Sequence, residues 1–179
     1  IEHFDMAKVQ KSGAVFDRAK LDWMNGEYIR RKPREELVPI AREYLPGFSA
    51  EETERALILE QSRIQTLGEL HQHVGYLKVE PNYPPELLRW KQMTGDGIRQ
   101  SLERAARLVG RIPDENFTTG ALQETFLNEI KGGDKGELLW PLRVALTGRS
   151  ASPGPFEVMA VLGREQTLRR LHAAVARAS

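Results

Sequence analysis

The reactive side chains of this sequence are sparse and badly spaced for catalysis. Its four histidines are His3, His71, His73 and His172. His71 and His73 stand two residues apart, so on a helix they do not share a face and cannot easily co-ligate a metal. Both are expected at the surface. The sequence contains no cysteine, which excludes a disulfide framework, a thiolate metal site and a cysteine nucleophile. The glycine-rich run Lys131-Gly-Gly-Asp-Lys-Gly136 lacks the G-x-x-x-x-G-K-[ST] spacing of a phosphate loop and reads as a turn between helices. Thr94-Gly-Asp-Gly97 is no dinucleotide fingerprint, because no strand precedes it. The pair Glu35-Glu36 reads as part of an amphipathic helix, and no Ser–His–Asp set can be singled out. What remains is the chemistry of cations, above all arginine.

The cations are banded along the chain. The 179 residues carry 26 Lys and Arg against 25 Asp and Glu, a formal charge of +1. From Arg18 to Arg42 there are seven basic and four acidic residues, and from Glu43 to Glu60 one basic and five acidic. The span Arg89–Arg111 has six basic and two acidic residues, and Pro113–Glu137 reverses that with two and six. Leu138–Ser179 returns to six against two, and all six are arginine. Phosphate neutralisation depends on local clusters, so a near-neutral total permits a nucleic-acid face without demanding one. A membrane span needs roughly 18 apolar residues, and Val158–Leu162 is among the longest apolar runs here. Glu2, His3, Asp5 and Lys8 argue against a signal peptide at the start of this sequence.

Helices are what must position these cations. Pro33-Arg-Glu-Glu-Leu37 has the proline and acids of a first helical turn. Ser49-Ala-Glu-Glu52 reads as a capping box opening a helix through about Gln61. Thr66 is placed to cap the next, with Leu67, Leu70, Val74 and Leu77 at spacings of three and four. Pro81, Pro84 and Pro85 mark the expected lobe boundary. Beyond it, Ile98, Leu102, Ala105, Ala106 and Val109 form an apolar stripe with arginines opposite. Further helices are expected over Phe117–Ile130 and Leu138–Leu146, the second with Pro141 in its first turns. Gly148 is a natural stop, and Ser150-Ala-Ser-Pro-Gly-Pro155 is the strongest loop signal. Pro155 should open a helix with Phe156, Val158, Met159 and Leu162 inward. Gly163 should break it before a last helix, Arg164–Ala178. With no sustained two-residue alternation, the expected class is all-α. On these signals alone the leading reading is a helical adaptor that binds partner proteins through its lobes.

Two long segments point elsewhere. One is Ser12-Gly-Ala-Val-Phe-Asp17 followed by Leu21-Asp-Trp-Met-Asn-Gly-Glu-Tyr-Ile-Arg30; the other is Pro141-Leu-Arg-Val-Ala-Leu-Thr-Gly148 followed by Pro153-Gly-Pro-Phe-Glu157. Together they closely resemble bacterial glutamyl-tRNA synthetases, in the part that lies after the catalytic domain, and the resemblance covers essentially the whole chain. In that family ATP, with Mg, and glutamate are bound by a Rossmann-type domain carrying HIGH-like and KMSKS-like motifs. Neither motif occurs here. The resemblance therefore implies a C-terminal portion opening at Ile1, itself catalytically inactive and without a cofactor. The corresponding region of bacterial glutaminyl enzymes is β-barrel, whereas this sequence reads helical throughout.

The implied organisation is the end of a stem-contact region over 1–30, a first anticodon-binding helical lobe over 31–86 and a second over 87–179. The expected partner is glutamate tRNA, with no DNA and no membrane, and the expected state is a cytoplasmic monomer. Carried over position by position, the family pattern assigns Arg143, Ser152, Pro153, Pro155 and Phe156 to the anticodon. Arg63, in Arg63-Ile-Gln-Thr-Leu67, matches an arginine that senses the last anticodon base. Gln61 and Ser62 stand where some members have Arg-Pro, Pro155 where many have an apolar residue such as Leu, and Thr125 where some have a further arginine. The physics agrees with arginine in such a role: its planar five-donor fork suits the exposed edges of unpaired bases.

Overall fold

Local signals decide where the helices begin. The computed structural model describes residues 16–178; the Ser12–Val15 part of the first resemblance segment lies outside them. Asp17 caps α1 (Arg18–Arg31), its carboxylate accepting from the Lys20 amide at 3.1 Å. Pro33 precedes α2 (Arg34–Ala41), which continues into a 3₁₀ turn over Arg42–Tyr44. At Ser49 the capping box is complete: Ser49 N–H donates to Glu52 Oε2 at 2.7 Å, and Glu52 N–H donates back to Ser49 Oγ at 3.1 Å. It opens α3 (Ala50–Glu60). A 3₁₀ turn at Leu67–Glu69, tied by Thr66 N–H to Glu69 Oε1 at 2.8 Å, leads into the short α4 (Leu70–Val74).

After the proline-rich connection come α5 (Gly95–Gly110), α6 (Thr119–Glu129), α7 (Lys135–Thr147), α8 (Pro155–Leu162) and α9 (Arg164–Arg177). Among the described residues there is no strand, and the class is all-α as expected. No described helix is long and apolar enough to cross a membrane.

Boundaries differ from expectation at α6, which starts at Thr119 and not Phe117, around α4, where 3₁₀ turns flank a short helix, and at the start of α7. Asp134 Oδ1 accepts from the Gly136 amide at 2.8 Å and starts α7 at Lys135, so Pro141 lies well inside the helix and not in its first turns. An interior proline deprives the carbonyl four residues earlier of its donor. Here that carbonyl is Glu137 O, and the Ser101 hydroxyl on α5 donates to it at 2.7 Å. A neighbouring helix thus repairs the defect.

The buried apolar residues form two clusters. Ile29, Leu37, Ala41, Leu45, Ala56, Leu57, Ile64, Leu70 and Val74 make the first, joining α1 to α4. The second is larger: the stripe Ile98, Leu102, Ala105, Leu108 and Val109 on α5 packs most extensively on α9 and also on α7. Leu59, Tyr76 and Tyr83 belong to this second cluster although they precede α5 in the chain, and Leu77 packs against both. Burial of these side chains drives the packing, at about 25 cal/mol per Å² of apolar area.

Arginines of the second body close the joint between the clusters. Arg149 on the loop after α7 donates to the Gln72 carbonyl. On α9, Arg170 Nη2 donates to Tyr76 O at 2.5 Å and Arg177 Nη1 to Pro81 O at 3.0 Å. Arg169 pairs with Glu80 at 2.9 Å. The segment 72–81 is therefore held by four arginines from beyond the connection.

Candidate nucleic-acid interface

Arg63 lies in the turn after α3, and that turn is braced from α1. Gln61 Nε2 donates to both Ile29 O and Lys32 O at 2.9 Å, and Asn25 Nδ2 donates to Gln65 O at 2.6 Å. Arg63 Nε donates to Glu60 Oε2 at 3.2 Å. Its side chain is 42% exposed, whereas that of Glu60 is 3% exposed. The same Glu60 oxygen meets His73 Nδ1 at 3.2 Å. His71 is exposed, as expected of both histidines, but His73 is drawn half inside by this carboxylate. Behind them lies the buried Tyr76 hydroxyl, without a hydrogen-bond partner. Its pKa is pushed up by burial and, second, by the negative charge of Glu60.

Across the joint, Arg143 projects from α7 towards the 150–155 loop. Its Nη1 donates to Ser152 O at 2.9 Å, with Ser152 Oγ at 3.4 Å. Ser152 Oγ in turn donates to Pro153 O at 2.9 Å. Arg143 is half-buried, and its protonation is weakened first by burial and then by the positive charge of Arg63, against the opposing pull of Glu157. Arg63 and Arg143, from the two clusters, therefore sense each other across the joint, where α3 packs on α8. Glu157 folds back over the start of α8, so that a Cβ at Gly154 would overlap its carboxylate.

The remaining residues assigned by resemblance do not present side chains as openly. Ser152, Pro153, Pro155 and Phe156 are all buried. Phe156 is a core residue, its ring 5.6 Å from that of Phe126 and tilted by 60°, so it offers no open stacking platform here. An aromatic at the second helical position after a proline turns inward because the packed helices offer apolar contact there. Glu60 and Arg149 were not singled out by the sequence, and His73 was read only as a surface residue. The spacing of Glu60 and Arg63, three apart, was a visible signal for a pair, but its burial was not.

The turn Lys131–Lys135 joins α6 to α7, with Gly132 at φ +87°, as a helix–helix turn should. Among the described residues no group of three or more His, Asp or Glu side chains is placed to hold a metal ion.

Residues 36–175 match the anticodon binding domain, and the chain belongs to that all-helical family. Along its length the chain is similar to glutamate–tRNA ligases. That of Clostridium acetobutylicum is 34% identical over 96% of this chain and 36% of its own. That of Symbiobacterium thermophilum is 34% identical over 96% of this chain and 37% of its own. A crystal structure of a glutamate tRNA ligase from Elizabethkingia meningosepticum shares the fold, with a TM-score of 0.81 and 21% identity over 97% of this chain and 35% of that one. The chain thus spans just over a third of the length of the relatives it matches.

Proposed function

We propose that this chain is the anticodon-reading portion of a glutamate–tRNA ligase, with glutamate tRNA as its partner. The observation that carries this reading is the pair Arg63 and Arg143, brought to one joint from opposite clusters with guanidinium donors to spare. The positive charge of Arg63 disfavours the Arg143 cation, and an anion or electron-rich base edge arriving there would relieve that repulsion. Arg143 also pins the Ser152 carbonyl, so the same side chain shapes the loop and faces the ligand. On this reading the residue divisions at 30 and 86 separate a stem-contact end from two anticodon lobes. The chain works as a monomer in the cytoplasm on RNA, not DNA. Glutamate activation with ATP and Mg belongs to the part of the relatives that this chain does not span, and the chain alone is catalytically silent.

The adaptor reading draws on one observation, the exposed apolar residues Leu21, Trp23, Met24 and Tyr28 of α1, with Phe16 just before it. It accounts neither for the family match nor for the two arginines at the joint.

Fluorescence anisotropy with labelled glutamate tRNA and an unrelated tRNA, across a salt series, tests the proposal. Glutamate tRNA should bind more tightly, with affinity falling steeply as salt rises. Arg143→Ala should weaken that binding about tenfold, the scale of one charged hydrogen bond, and lower the melting temperature by only about 2–4 °C. Equal affinity for both tRNAs, or a large melting shift with unchanged binding, contradicts it.

A further inference from the structure

Arg63 differs from the other exposed arginines of the first cluster in how it is held. Arg55, for example, pairs with Glu51 on an exposed helix face, where both partners are open to water. The partner of Arg63 is a carboxylate almost removed from solvent, Glu60 at 3% exposure. A buried carboxylate must keep its donors, because the alternative is an uncompensated charge in a low-dielectric site. Its donors are Arg63 Nε and His73 Nδ1, both at 3.2 Å from the same oxygen. The contact uses only the Nε–H of Arg63. Both terminal nitrogens make no hydrogen bond among the described residues, and the guanidinium plane is set by its one anchored edge. The backbone beneath is fixed separately, by Gln61 to Ile29 O and Lys32 O and by Asn25 to Gln65 O.

We propose that Glu60, buttressed by His73, is a positioning residue that orders Arg63 before RNA arrives, so that the free Nη edge meets one base of the anticodon in a single geometry. This rests on the reading of Arg63 as an anticodon contact. An arginine left to itself loses rotamer freedom when it binds, and pre-ordering removes that loss, about three- to tenfold in a binding constant. The gain falls on the base whose acceptors match the fixed edge. A mismatched base leaves the oriented donors unmet, so the contribution is to specificity more than to overall affinity.

The test uses the full chain and two anticodon stem-loop RNAs of glutamate-tRNA sequence that differ only in the last anticodon base. Anisotropy is read for the native chain, Glu60→Gln, Arg63→Ala and the double variant. Glu60→Gln should reduce the preference for the matched hairpin about three- to tenfold and leave the mismatched one nearly unchanged; added to Arg63→Ala it should cost no further preference. Should Glu60→Gln fail to fold, Glu60→Asp keeps the charge, shortens the reach and is read in the same way. Equal weakening towards both hairpins overturns the proposal by making Glu60 merely structural. An unchanged preference in Glu60→Gln, with Arg63→Ala losing it, overturns the positioning role alone. Retention of the preference by Arg63→Ala overturns both this proposal and the reading of Arg63 beneath it.

Discussion

Arg170 is the side chain on which the joint between the two clusters should depend most. It is 2% exposed and among the largest fully buried side chains of the molecule. Its Nη1 donates to Leu146 O and its Nη2 to Tyr76 O, each at 2.5 Å, while its Nε is buried without an acceptor. Burial lowers its pKa to about 10, with Glu80 as the main charge favouring the cation. In Arg170→Met the volume is largely kept but two buried carbonyls lose their donors, at about 1–3 kcal/mol each. Removing a desolvated cation with one unmet N–H offsets part of that cost. The expected net loss is about 2–4 kcal/mol, or about 5–15 °C in melting temperature for a chain of this size. Thermal and urea unfolding followed by circular dichroism give both quantities. Amide exchange should also rise over residues 72–81, where Arg170 meets Tyr76 O. A loss under about 1 kcal/mol, the worth of one ordinary hydrogen bond, would refute the claim that these two contacts secure the joint.

Two further expectations concern other features of the fold. Gly148 ends α7 at φ +70°, and a Cβ there would sit 2.9 Å from Pro81 Cβ; Gly47, at φ +82°, has nothing within 4 Å. Gly47→Ala should cost only the left-handed strain, about 1–2 kcal/mol, and Gly148→Ala should cost about 1 kcal/mol or more beyond that; equal losses by urea unfolding would show the Pro81 contact to be soft. Asp134 is held down to about 2, from 3.8, by hydrogen bonds from Lys91, Trp90 and the Gly136 amide, in that order. Because the folded pKa is the lower one, its contribution is present above about pH 4 and disappears as pH falls towards 2, so Asp134→Asn should flatten the melting-temperature profile in that window. Parallel profiles for the two proteins would remove Asp134 from the acid response.

The helix framework was legible because its signals act within a few residues. The Ser49–Glu52 capping box, the stop at Gly148, the start at Pro155 and the break at Gly163 each depend on local donors or on one backbone angle. Pro141 was misplaced because its defect is repaired by Ser101, forty residues earlier in the chain, and no local pattern announces such a repair. Phe156 was ambiguous for a related reason: its residue type suits a core or a stacking surface equally well, and only the approach of Phe126 settles which.

The sequence by itself determined an all-helical chain and the family to which it belongs, and it nominated Arg63 and Arg143 as the arginines to examine. Those properties live in spacing, capping and residue type, which a linear string retains. Tertiary structure alone decided which of those arginines lie together. Arg63 and Arg143 are eighty residues apart, and they come within electrostatic reach because α3 packs on α8 while arginines from the second body hold segment 72–81. The burial of Glu60 behind Arg63 was decided there too, since a carboxylate loses its water only when packed elements close over it.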